Sequence, residues 1–238
     1  MKNAIVTGGT KGIGLAIAKM LLHENYAVTV TYAHDSSAVA VCEEEFRKIS
    51  DSFDIIHADQ SDKLSMNSFV KKMRQKSHID CIILNAGTTF RAGLQTSDED
   101  WERVMQVNVN SSMYLIRDLY DIIPSNSRIV FISSMMGILP HSVSISYGVS
   151  KAAEIALAKN LVKEFAGTGT TINVITPGFV DTDWQKSKPQ EIRDSICAKT
   201  ALGRFALPEE IAEAARFCVN NEFINGSVIE IHGGYNYK

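Results

Sequence analysis

Short apolar runs rich in β-branched residues alternate with longer segments whose apolar positions recur at helical spacing, from one end of the chain to the other. The apolar runs fall at residues 4–7, 27–31, 53–57, 79–84, 128–133, 171–175 and 227–231, and they predict seven strands. The segments between them predict helices over 12–23, 37–49, 65–76, 98–120, 146–165 and 208–220. Two helix starts are marked chemically. Ser97 precedes Asp98, Glu99 and Asp100, and Pro208 leads Glu209 and Glu210, a first-turn proline with acidic company at the positive end of the helix dipole. Strands that read as nearly continuous apolar runs are buried on both faces. Such strands belong to a parallel sheet covered by helices on both sides.

The expected fold is therefore α/β, a single-domain, doubly wound, parallel seven-stranded sheet. No linker, repeat or low-complexity stretch divides residues 1–238, so one domain is expected to carry both binding and chemistry. Residues 181–203 break the rhythm: they are polar, contain Pro189, and separate the sixth strand from the last helix. In open α/β sheets ligands bind beyond the carboxyl ends of the strands, so this segment is expected to be a mobile flap there, with helical turns around 191–199. An ordinary surface insertion is the alternative.

Composition narrows the function. With 45% hydrophobic residues in 238, a large core is within reach, and no stretch is apolar enough to span a membrane. The formal net charge is −3 with dispersed basic residues, which argues against nucleic acid or an anionic membrane as partner. The first residues carry one basic side chain and enter an apolar run at once, as a first strand would and a secretory leader would not. Cys42, Cys81, Cys197 and Cys218 form no CxxC pair and are expected as free thiols of a reducing compartment, which makes the expected location cytoplasmic. His23, His57, His78 and His141 lack metal-ligand spacing, so no metal site is expected, although His141 is placed near a substrate mouth.

The run Thr7-Gly-Gly-Thr-Lys-Gly-Ile-Gly14 follows the first strand and opens a helix. Its G-x-x-x-G-x-G spacing, on Gly8, Gly12 and Gly14, is a variant of the dinucleotide fingerprint of the Rossmann fold. Glycines there permit a tight turn and let backbone N–H groups approach a pyrophosphate at the helix N-terminus. Thr10, Lys11 and Ile13 lie in the same loop. At the end of the second strand, where an NAD site usually places an acid, the chain reads Thr31-Tyr32-Ala33-His34, and the first carboxylate is Asp35. Lys11 and His34 are expected to receive a 2′-phosphate, favouring NADP(H), with Tyr32 alongside. In the alternative Lys11 is solvated and Asp35 binds NAD.

Tyr147 and Lys151 stand four apart on a predicted helix, on one face and about one turn from each other, with Ser134 thirteen residues upstream. A phenol ordinarily titrates near ~10, and a neighbouring ammonium favours its phenolate, which suits it to exchanging a proton with an alcohol or carbonyl oxygen.

These residues resemble the short-chain dehydrogenase/reductase family over essentially the whole chain. The resemblance takes in Thr7 to Gly14, Asp59, Asn85-Ala86-Gly87, Asn108, Ser134, Tyr147 with Lys151, Pro177-Gly178 with Thr182, and Leu202-Gly203-Arg204 followed by Pro208-Glu209-Glu210-Ile211. It implies that Asp59 accepts from the adenine amino group with Gln60 beside it. Asn85, Ala86 and Gly87 are implied to line the adenine ribose and brace the central sheet. Lys151 is implied to hold the nicotinamide ribose, Ser134 to bond the substrate oxygen, and Tyr147 to act as the proton donor. Asn108 is implied to shape its helix for a water-borne proton relay, and Pro177, Gly178, Val180 and Thr182 to contact the nicotinamide. Ser133 competes with Ser134, and Met135 and Met136 are either pocket or core. His232 stands where relatives usually carry Asp before Gly-Gly and is expected to be structural or a subunit contact.

Within the family the chain most resembles the 3-oxoacyl-[acyl-carrier-protein] reductases, which implies reduction of a 3-oxoacyl thioester and makes an acyl carrier protein a candidate partner. One departure weighs against it. The basic residues with which those enzymes dock an acidic carrier are replaced here by Ser125 and Thr168, in uncharged stretches. A small-molecule alcohol, sugar or hydroxysteroid dehydrogenase is the alternative, and a non-catalytic NADP-binding protein the remaining one. The resemblance also implies a homotetramer or homodimer.

Overall fold

A computed structural model describes residues 1–140 and 143–237. Seven strands form, β1 (Lys2–Val6), β2 (Tyr26–Tyr32), β3 (Phe53–His57), β4 (Cys81–Leu84), β5 (Arg128–Ile132), β6 (Thr171–Pro177) and β7 (Val228–Ile231). All pair in parallel in the order β3-β2-β1-β4-β5-β6-β7. The register places Val6 beside both Val30 and Ile83, and Ile83 beside Val130. The sheet is thus the doubly wound one the apolar runs predict.

Each strand points alternate residues to opposite faces, and the two faces build separate apolar layers. Val6, Val28, Val30, Ile83 and Val130 pack under helices α1 (Gly12–His23), through Ile17 and Leu21, and α9 (Pro208–Asn220), through Ile211 and Ala215. Ile5, Ile82, Ile129 and Phe131 face the other way. They meet Phe69 and Met73 of α3 (Lys63–Met73), Leu115 and Leu119 of α5 (Ser111–Leu119), and Ala158 and Leu161 of α6 (Ile145–Glu164). Helix α2 (Ser37–Arg47) contributes Cys42 and Phe46 to the first layer.

The helix expected over 98–120 forms without a break but is not uniform. Helix α4 (Asp98–Met105) starts on Ser97, whose hydroxyl accepts from the Asp100 amide at 3.1 Å, and gives way to a π-helical turn at Gln106–Asn110 before α5 begins. Beyond β6, residues 181–203 carry two short helices, α7 (Asp183–Lys186) and α8 (Gln190–Lys199), with Pro189 just ahead of the second. Arg193 of α8 pairs with Asp181 at 3.0 Å and stacks over Phe205 at 4.4 Å, while Ile196 is buried.

Among the described residues no helix is long and apolar enough to cross a membrane, and no His, Cys, Asp or Glu cluster could hold a metal ion. The four cysteines are free.

Candidate active site at the carboxyl edge of the sheet

The strand order reverses between β1 and β4, so connections leaving their carboxyl ends diverge and open a crevice. Four of the segments singled out in the sequence leave the strands at this edge. The glycine loop leaves β1, Asn85-Ala86-Gly87 leaves β4, Ser133-Ser134 leaves β5, and Gly178 leaves β6.

The loop adopts the turn that glycine permits, with φ of +62° at Gly8 and +55° at Gly12. A Cβ on Gly14 would come 2.3 Å from the Gly8 carbonyl oxygen and 2.6 Å from Asn85 Nδ2, so that position is closed to any side chain. Gly12 instead faces Thr182, 3.1 Å from where its Cβ would lie, across the crevice. Asn85 braces the loop: Nδ2 donates to the Thr7 and Gly8 carbonyls at 3.0 Å each, and the Asn85 and Ala86 amides donate to Thr7 Oγ1. These hydrogen bonds tie the glycine loop to the start of the β4 loop. At the start of α1 no side chain caps the helix and no acid stands in its first turn. Open amides and an uncompensated positive dipole fit a pyrophosphate, and hence the dinucleotide implied for this fold.

Helix α6 carries the chemistry. Tyr147 is half-buried, Lys151 is buried, and Lys151 Nζ stands 5.7 Å from the centre of the Tyr147 ring. Nζ is also 3.5 Å from where a Cβ on Gly87 would lie, which puts the lysine against the β4 loop. Ser134 is nearly buried and extended, and its hydroxyl accepts from the Met136 amide at 3.2 Å, leaving its own hydrogen to donate. Ser133 is differently employed, its hydroxyl donating to the Lys151 carbonyl at 2.8 Å. That division favours Ser134 over Ser133 as the residue facing a substrate. Met135 is core and Met136 half-buried.

Asn108 is wholly buried within the π-helical turn. Its Oδ1 accepts from the Thr88 amide at 2.8 Å, and Nδ2 donates to the Thr88 carbonyl and to Ser150 Oγ. Its side-chain amide thus joins the β4 loop to α6. Pro177 closes β6, the Gly178 amide donates to Ile231, and Val180 is buried beside Ala206. His232 packs against Gly178, accepts from the Tyr235 amide at Nδ1 and pairs with Glu230, a structural role. His141 lies outside the described residues.

Toward the adenine end, Asp59 Oδ1 accepts from the amide and hydroxyl of Ser61. Burial works to raise its pKa, but the Ser61 bonds and nearby His34 outweigh it and hold the carboxyl below its ordinary value. Gln60 is buried, with its amide on Ser111, and Tyr32 meets His57 edge to face. Both basic residues expected to meet a 2′-phosphate have carboxylate neighbours. Lys11 pairs with Asp35 at 2.8 Å, and His34 lies 3.6 Å from Asp59.

Two site residues escaped the sequence reading. Trp184 of α7 lies 6.3 Å from Tyr147, ring centre to ring centre, and so stands beside the expected proton donor. Glu154, one turn beyond Lys151, is 2.8 Å from its ammonium and buried with it. Its signal was the i,i+3 spacing to a lysine on a helix that packs against the sheet.

Fold and edge together define a dinucleotide-dependent oxidoreductase. Comparison with known proteins narrows this further. The family model for short chain dehydrogenases matches residues 2–193. The chain is 33% identical over 243 residues to the 3-oxoacyl-[acyl-carrier-protein] reductase FabG of Aquifex aeolicus (strain VF5), covering 98% of this chain and 96% of that protein. The Pseudomonas aeruginosa RhlG/NADP active-site complex matches with a TM-score of 0.89 at 30% identity, covering 99% and 96% of the two chains. A short chain dehydrogenase from Burkholderia cenocepacia J2315 in complex with NADP matches with a TM-score of 0.91 at 26% identity, covering 98% and 97%. The chain belongs to the short-chain dehydrogenase family.

Proposed function

We propose that this chain reduces a carbonyl to an alcohol with NADPH, and that its substrate is a 3-oxoacyl thioester. The observation that carries the reading is Lys151 beside the Tyr147 ring on α6, bonded to the end of β5 that leads into Ser134 and set against Gly87, at the edge where α1 starts uncapped. The bound dinucleotide supplies hydride. The residues do the rest. Ser134 donates to the carbonyl oxygen and Tyr147 gives it a proton, so both act where negative charge develops. Lys151 holds the nicotinamide ribose and keeps a positive charge near the phenol. Asn108 fixes the β4 loop against α6 and so fixes the spacing of these groups. Residues 181–203 form the flap, with Trp184 as the wall of the substrate pocket.

The thioester reading draws support from the relative in Aquifex aeolicus, which is a 3-oxoacyl-[acyl-carrier-protein] reductase. NADP is favoured by the two NADP complexes among similar structures and by Lys11 at the loop. A free small-molecule ketone is the second reading, and one observation favours it. The Asn126 amide donates to the Thr168 carbonyl at 2.9 Å, so the stretches 124–127 and 167–170 join into one patch, and neither stretch holds a cation to steer an acidic carrier.

The deciding experiment measures NADPH oxidation with acetoacetyl thioesters and a panel of free ketones, beside Tyr147→Phe. Thioester turnover that falls ~10²- to 10⁴-fold in Tyr147→Phe, with NADPH still bound, is expected. Turnover confined to free ketones supports the second reading, and a Tyr147→Phe enzyme at full rate overturns the mechanism.

A further inference from the structure

Glu154 and Lys151 share one face of α6, and each keeps only 3% of its surface exposed. Lys151 Nζ donates to both Glu154 carboxylate oxygens, at 2.8 and 3.1 Å, and to the Ile132 carbonyl at 3.0 Å. From the strand side, Ser133 donates to the Lys151 carbonyl and so pins this turn of α6 to the end of β5. Among the described residues, Tyr147 lies one turn back on the same helix, Ser133 at the end of β5 bonds the Lys151 carbonyl, and Lys151 and Asn108 both lie against Gly87. Lys151 is the cation that Glu154 meets.

Burial alone drives a lysine toward its neutral amine. Here burial is opposed by Glu154 and then by Tyr147, and the lysine ends above its ordinary value. Burial likewise pushes Glu154 up to about 7, against the pull of Lys151 and Ser133, so the pair is ionised on the alkaline side of neutrality.

We infer that Glu154 is a positioning residue, the counter-ion that keeps the Lys151 ammonium charged and fixed beside Gly87. Its effect on turnover rests on the proposed role of Lys151, but its effect on Lys151 does not.

The test therefore reads the lysine directly. The full chain, with its lysine ε-carbons labelled with carbon-13, is titrated by NMR with and without bound NADPH, and the Lys151 signal is identified by its loss in Lys151→Met. In Glu154→Gln and Glu154→Leu, Lys151 is expected to lose its proton at least about one pH unit lower than in wild type. Glu154→Asp, which keeps the charge, restores part of that shift. The alkaline limb of the kcat profile moves with the titration, leaving the rate near pH 6 within about twofold. A Lys151 titration unchanged in both the Gln and Leu variants overturns the inference, as does a rate lowered equally at every pH. If one variant fails to fold, the other decides. A Lys151→Met enzyme with full turnover overturns the proposed role of Lys151 instead, whatever the titration shows.

Discussion

Lys11 and Asp35 form an ion pair of 2.8 Å that joins the glycine loop to the residues just beyond β2. The bond from Lys11, helped by Ser37 and the Ala38 amide, holds the Asp35 carboxyl down to about 2, so it is charged at every ordinary pH. The one cation of the loop is therefore already matched by an anion where a 2′-phosphate is expected to lie.

Replacing that anion should sharpen cofactor choice. Asp35→Asn is expected to raise the preference for NADPH over NADH by ~3- to 10-fold, less at high salt because the pair is exposed. Ratios of kcat/KM for the two cofactors at two ionic strengths measure it. A shift toward NADH would mean that Asp35 repels nothing and that Lys11 needs it for alignment.

Trp184 stands beside Tyr147 and lies outside the glycine loop. Trp184→Ala is expected to raise KM for the carbonyl substrate about tenfold while the NADPH Kd moves less than about twofold, since one aromatic contact is lost from one ligand only. Steady-state kinetics and NADPH fluorescence separate the two.

Arg128 starts β5 but is buried, and it donates to the carbonyls of Val219, Asn126 and Ser127 at 3.1, 2.7 and 2.9 Å. It thereby satisfies the open end of α9 and the turn before its own strand. Arg128→Met should cost about 2–4 kcal/mol, because buried carbonyls lose their donors. Urea unfolding measures the loss, and cofactor affinity in the folded fraction should hold.

Glu154 makes stability depend on pH with a definite sign. Its carboxyl titrates near 7 in the folded chain and at an ordinary carboxylate value when unfolded, so the folded state holds the extra proton between them. Unfolding free energy should then fall as pH rises from about 4.5 to about 7, by at most about 3 kcal/mol, and level off above. Glu154→Gln should remove that slope. Urea titrations of both proteins at pH 5 and pH 7.5 give the comparison, and a slope of opposite sign would mean that Lys151 outweighs burial at Glu154.

Much of this was legible beforehand, and the reasons are physical. The alternation of apolar runs with helical patterns predicted the sheet because residues such as Ile5 and Val6 are each buried, on opposite faces. The glycine loop was legible because Gly14 admits no side chain. Glu154 was not, since an acid on a helix ordinarily faces solvent and only the packing of α6 shows otherwise. One strand start was misjudged: apolar Ile79 donates to Ile122, outside the sheet, and β4 begins at Cys81. The π-helical turn was hidden because the pattern over 98–120 stays helical, and the partners of its Asn108, Thr88 and Ser150, lie elsewhere in the chain.

That turn also sets the rotational phase of α5. An α-helix advances about 100° per residue, so the wider winding at 106–110 dials α5 round until Leu115 and Leu119 look inward. Deleting a single residue there would tighten the turn to ordinary α winding with both leucines still inward, but would carry Asn108 off Thr88 and Ser150. Residue count, as much as residue identity, is constrained in this stretch.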